Sequence, residues 1–233
     1  TKRIKPWQWT FTAYPCRPPV IRWVQDRQNL IDIYHDALGL VAGGGNTKLQ
    51  PLWSSFTVGD TALLAHTPGD EAPDFSAREG LLHAPVSARL GEDDEAPMVN
   101  LQYGTAPAMV TCQIALQPIA AAEMRILLSQ QGGDTDVQTH LTLLPRVGAT
   151  LRAHNGLEQI LGETSINITA DEEGWVEHGG WRLTLPAGSR CTWPVLPHNP
   201  YRKDGYASFE EGLIVISMPL SSSLDRCLTL TIP

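Results

Sequence analysis

The chain lacks nearly all the short patterns that announce a chemistry. It has no GxSxG elbow, no phosphate-cradling glycine loop, no dinucleotide fingerprint and no HExxH pair, so hydrolase-triad, nucleotide and zincin readings have no support. Cysteine is scarce: Cys16, Cys112, Cys191 and Cys227 lie far apart without CxxC spacing, which removes zinc-ribbon and thioredoxin-like sites. Cys112 and Cys227 read as small buried core residues of alternating strands, and an oxidising compartment leaves one or two long-range disulfides open to the set. Long apolar runs are missing as well. The run Leu213 to Ile216 is far too short to cross a bilayer, so no membrane insertion is expected. The start, TKRIKPWQW, has no apolar signal core, and the expectation is a mature or excised piece. Positive charge is outnumbered, 17 Lys and Arg against 25 Asp and Glu, and a net charge of -8 argues against nucleic acid or an anionic membrane as partner.

Metal-ligand spacing is equally absent. The 7 histidines are scattered, and His35 and His178 fall in apparent turns, so most are expected to face solvent. The acidic run Glu92 to Glu95 lacks the alternation and glycine of an EF-hand loop and reads as solvated surface. No metal and no cofactor are expected.

What the chain does contain is alternation of period two. Residues 4 to 14 set Trp7, Trp9 and Phe11 against Gln8, Thr10 and Thr12, which reads as a strand with an aromatic core face or, more sharply, a glycan-stacking face. The stretch Asn29 to Trp53 organises the rest: Ile31 and Ile33 oppose Leu30, Asp32 and Tyr34, His35 to Gly39 makes a bulged turn, and Leu40 to Ala42 returns. Gly43-Gly44-Gly45 then forms a corner that would present Asn46, Thr47 and Lys48. Leu52 to Val58 and Thr61 to His66 flank Gly59-Asp60 as a second hairpin. Strands are expected over Met98 to Tyr103, Ala108 to Leu116, Glu123 to Ser129, Val137 to Leu144, Thr150 to Ala153, Gln159 to Leu161 and Ser165 to Thr169. Glu123 to Ser129 sits among good helix formers, yet Met124, Ile126 and Leu128 alternate. A hairpin over Trp175 to Leu185, a central strand over Leu213 to Met218 and a last strand over Arg226 to Ile232 complete the set. Closely spaced turn signals make this all-β, a large antiparallel β-sandwich or supersandwich, with residues 1–233 as one domain that could belong to a larger chain.

Chemistry concentrates in one loop. His198-Asn199-Pro200-Tyr201-Arg202-Lys203-Asp204-Gly205-Tyr206 packs imidazole, amide, phenol, guanidinium and ammonium groups between proline and glycine. Tyrosine faces stack on sugar rings, Asn and Asp hydrogen-bond hydroxyls, and Arg with Lys neutralises a carboxylate or sulfate. Asn199, Tyr201, Arg202, Lys203, Asp204 and Tyr206 are therefore the candidate ligand residues, with Asn46 and Lys48 from the glycine corner. His198 and Tyr201 are the candidates for an acid and base pair. The plainer reading of the same loop is a surface segment whose Asn-Pro and Asp-Gly steps make two turns.

The order of the GL-x-x-GGGN corner, the HLTLLPR strand from His140 to Arg146, the GGWRLTLP hairpin and the PHNPY loop resembles the β-rich C-terminal half of heparinase II/III-like polysaccharide lyases, whose supersandwich is of the mutarotase type. Such lyases carry much of their active site on an α/α toroid ahead of the sandwich, and nothing here could form one. The resemblance thus implies an accessory domain or a stand-alone relative, with an oligo- or polysaccharide or an adjoining protein domain as partner and the balance toward an extracytoplasmic site. A structural or assembly domain is the alternative. An aldose-epimerase-like enzyme is another, and it would need His140 or His178 with Glu177 in a concave sheet.

Overall fold

The computed structural model describes residues 1–13, 29–43, 50–59, 85–91, 97–197, 199, 202 and 205–233. Two antiparallel sheets face each other and share one hydrophobic core, with no α-helix among the described residues. In the first sheet the order is β1 (Lys2–Ile4), β2 (Trp7–Ala13), β3 (Asn29–His35), β4 (Gly39–Ala42), β10 (Val137–Leu143), β17 (Leu213–Leu220), β16 (Ser189–Val195) and β13 (Ile166–Ala170), with β5 (Phe56–Val58) also on β10. In the second it is β12 (Glu158–Ile160), β11 (Thr150–Ala153), β14 (Gly174–His178), β15 (Trp181–Leu185), β18 (Arg226–Thr231), β9 (Glu123–Gln131), β8 (Val110–Ala120), β7 (Met98–Tyr103) and β6 (Ser87–Leu90).

Alternation decides which face each strand buries. On β9, Met124, Ile126 and Leu128 point into the core, and on β17 Ile214, Ile216 and Met218 do the same from the opposite sheet. The helix formers Ala121 and Ala122 make the turn between β8 and β9, because burying three apolar side chains on one face of a strand outweighs a propensity difference of a few tenths of a kcal/mol per residue. Trp7 and Trp9 are 1% exposed and belong to the core, so the aromatic face of β2 is not a glycan platform. Trp7 Nε1 donates to the Ala120 carbonyl at 2.9 Å, and His35 Nε2 donates to the Ala121 carbonyl at 3.1 Å. These two side chains, in edge-to-face contact at 4.6 Å, tie the β8–β9 turn of one sheet to the other.

Several expectations need correcting. Leu52 and Trp53 lie in a 3-10 turn, Pro51–Trp53, and only Phe56–Val58 is strand, since these apolar side chains cover the outer surface of the first sheet instead of extending it. The proposed partner strand Thr61 to His66 and the acidic loop at Glu92 to Glu95 lie outside the described residues. Strand β16 was not expected, and the Pro194 within it ordinarily argues against a central strand. It is tolerated because the pairing with β17 slips between Thr192 and Val195, and that slip turns Val195 to the outer face beside Trp53, Leu213 and Val215. His35, His140 and His178 are buried, not solvent-facing. Cys227 is exposed, because Arg226, Leu228 and Leu230 take the inward positions of β18. Cys112, Cys191 and Cys227 are all free thiols.

Candidate functional site

The loop singled out above joins β16 to β17, with its roots fixed on both sides. On the β16 side the Leu196 carbonyl accepts from Gln50 Nε2 at 2.6 Å and the Val195 carbonyl from Trp53 Nε1 at 3.2 Å. On the β17 side Ala207 is buried, and the Ser208 N–H donates to the Glu211 carboxylate at 2.9 Å over the 3-10 turn Phe209–Glu211. Between the roots, the Arg202 N–H reaches the Asn199 carbonyl at 3.3 Å and the Gly205 N–H the Arg202 carbonyl at 3.1 Å. These are two successive hydrogen bonds of i to i+3 spacing, and Gly205 holds φ at +67° as only glycine does without cost. The Asn199 N–H closes the loop onto the Gly205 carbonyl at 2.9 Å.

On this frame Tyr206 stands 54% exposed, with the Arg202 guanidinium 5.1 Å from its ring centroid. Of the predicted ligand residues the structure thus brings Arg202 and Tyr206 together, with Asn199 at the loop's base. His198, Tyr201, Lys203 and Asp204 lie outside the described residues, as do Asn46 and Lys48 beyond Gly43. No group of three or more His, Cys, Asp or Glu side chains among the described residues is placed to hold a metal ion.

The histidines paired with Glu177 in the epimerase reading are committed to other work. His178 is 1% exposed; its Nε2 accepts from the Arg146 N–H at 2.8 Å while Nδ1 donates to the Thr150 carbonyl at 3.0 Å, which fixes the neutral tautomer. Burial lowers its pKa, and the Arg146 charge adds to that, against the Thr150 hydrogen bond. Glu177 is on the opposite face of β14, within 3.2 Å of Arg182 Nε. His140 lies on the outer face of the first sheet, 3% exposed, with Nε2 2.9 Å from Thr57 Oγ1 and Nδ1 2.8 Å from Ser217 Oγ. Burial pushes its pKa down to about 3, so at neutral pH it is an uncharged imidazole with a single ring N–H and is a weak base.

No family model and no curated protein matches the sequence. Among solved structures the chain is similar to a mutant of the heparan sulfate lyase HepC from Pedobacter heparinus, at 8% identity and a TM-score of 0.42. That similarity covers 90% of this chain but only 31% of the lyase. The Thr57–His140–Ser217 constellation escaped sequence reading, because its members sit on three strands far apart in the chain and only register places them together.

Proposed function

We propose that this chain is a carbohydrate-associated β-sandwich, a glycan-binding or accessory domain that contacts an oligo- or polysaccharide through the β16–β17 loop. The observation that supports it is the exposed Tyr206 ring carrying the Arg202 guanidinium on a loop whose backbone is closed by its own hydrogen bonds. A rigid aromatic surface binds the apolar face of a sugar ring at low entropic cost, and an adjacent cation suits an acidic substituent. In this reading Tyr201, Lys203, Asp204, Asn46 and Lys48 are further ligand residues, and any acid–base step falls to His198 and Tyr201, since His140 and His178 are buried and neutral.

A glycan array with the purified chain, paired with ultraviolet detection of unsaturated products, tests the proposal. Binding without turnover is expected, and it should be lost in the Arg202→Ala, Tyr206→Ala double variant. Because both side chains are solvent-facing, that variant should keep its stability within about 0.5 kcal/mol. Retention of all binding by a folded double variant would move the site elsewhere.

One observation favours the second reading, an assembly domain. Strands β6 and β12, which have a paired neighbour on one side only among the described residues, expose Leu90 at 67% and Ile160 at 63%, aliphatic side chains to which an adjoining protein domain would dock. Silence on every glycan together with a stable complex lost in Ile160→Lys or Leu90→Lys selects it.

A further inference from the structure

Register places a polar row across four strands on the outer face of the first sheet. Thr169 stands opposite Arg190, Arg190 opposite Ser217, and Ser217 opposite His140. Directly opposed residues share a face and lie roughly 5 Å apart, so hydroxyl, guanidinium and hydroxyl line up over about 10 Å. Thr169 and Arg190 are exposed and Ser217 is half-buried.

Charge sets this row apart. On the other sheet, Arg152 reaches Glu158 at 3.0 Å and Glu177 at 3.8 Å, and Arg182 reaches Glu177 at 3.2 Å, so that outer face neutralises itself. Arg190 has no carboxylate partner among the described residues, and none of strands β5, β10, β13, β16 and β17 contains an Asp or Glu. Asp171, Glu172 and Glu173 follow β13 directly, and Arg190 makes no ion pair with any of them. The hydroxyl beside it is also held in place: Ser217 Oγ bonds His140 Nδ1, and His140 is braced from behind by Thr57.

We infer that Arg190, with the Ser217 and Thr169 hydroxyls on either side, forms a binding site for a small oxyanion, a carboxylate or a sulfate group. The guanidinium offers paired N–H donors to two oxygens of such a group, the Thr169 hydroxyl adds one, and the Ser217 hydroxyl adds another in the tautomer whose His140 Nδ1–H donates to the Ser217 oxygen. His140 acts as a positioning residue that fixes the Ser217 hydroxyl. The site uses none of the residues of the β16–β17 loop and stands or falls separately from it.

The test is a titration of ¹⁵N-labelled protein with sodium sulfate, with sodium glucuronate and with sodium chloride at matched ionic strength. The Arg190 Nε–H and Ser217 amide resonances should shift saturably with sulfate, glucuronate or both, and not with chloride. A response to sulfate alone assigns a sulfate group, and a response to glucuronate alone a carboxylate. Arg190→Gln should weaken binding at least about tenfold, as loss of a charged hydrogen-bond donor does. Ser217→Ala should weaken it less and move the His140 ring ¹⁵N resonances, with the thermal midpoints of both variants confirming a folded chain. Shifts that never saturate, shifts reproduced by chloride, or undiminished affinity in a folded Arg190→Gln would each overturn the site.

Discussion

His140 and His178 are held neutral by burial, and the consequence for stability has a definite sign. In the unfolded chain each takes a proton near pH 6.5, whereas the folded pKa is lower, about 3 for His140. Between those values the unfolded state binds more protons, so the contribution of each histidine is intact above about pH 6.5 and declines as the pH falls. For His140 the decline approaches roughly 1.4 kcal/mol per pH unit, and His178 contributes in the same direction. Urea unfolding at several pH values between 7.5 and 5 should therefore show falling stability, with a shallower slope in His140→Gln. Equal slopes for variant and parent would contradict the burial argument. The thiols give a second test. Cys112 and Cys191 are buried and pushed up to about 12, so they should label only on unfolding, while Cys227 should react with a maleimide in the native state, as site-resolved mass spectrometry can show. The alternation of Leu228, Leu230 and Ile232 already puts Cys227 on the outer side, and the expectation of a buried Cys227 ignores that parity in favour of the usual burial of cysteine. The inward Arg226 is satisfied by carbonyls, Nε to Pro219 at 3.0 Å and a terminal nitrogen to Ala187 at 2.7 Å.

The strands best read from sequence, β3, β7, β9 and the β14–β15 hairpin, are those whose alternation runs unbroken, because a period of two is a purely local signal. Strand β16 was missed because its proline sits where the pairing slips, and the slip depends on its neighbour β17, which no local pattern records. Much the same holds for the candidate sites. The β16–β17 loop stood out by composition, whereas the Arg190–Ser217–His140 row exists only through register. Arg226 fastens the end of β17 to the turn ahead of β16, and Arg226→Met, which strands both carbonyls, should cost about 2 kcal/mol or more in denaturant unfolding. The glycine corner gives another expectation. Gly43 has φ of +126°, and a Cβ there would collide with the Asp32 carboxylate, so Gly43→Ala should destabilise by about 1–3 kcal/mol, measurable as a lower urea midpoint. A neutral outcome would mean that β3 and β4 shift apart without penalty.

Taken whole, the molecule is two antiparallel sheets around one contiguous core. Because the core cluster draws on both sheets from Trp7 to Leu230, we expect residues 1–233 to unfold as a single cooperative unit, with calorimetric and van't Hoff enthalpies in agreement. Two separated heat-capacity peaks would instead divide it into independent halves. One detail of strand pairing bears on how such a chain can change over time. A single edge of β10 is shared, with Val137, Gln138 and Thr139 taken by β5 and Leu143 by β4. The chain therefore leaves the sheet at Gly43, whose N–H bonds the Thr142 carbonyl, and re-enters a few residues along the same edge. Both ends of the departure are anchored by pairing that does not depend on what lies between Gly43 and Gln50. The cost of closing such an excursion grows only with the logarithm of its length, about 0.6 kcal/mol per doubling. The register of β4, β5 and β10 is thus set by pairing alone and should survive a change in the length of chain that joins Gly43 to Gln50.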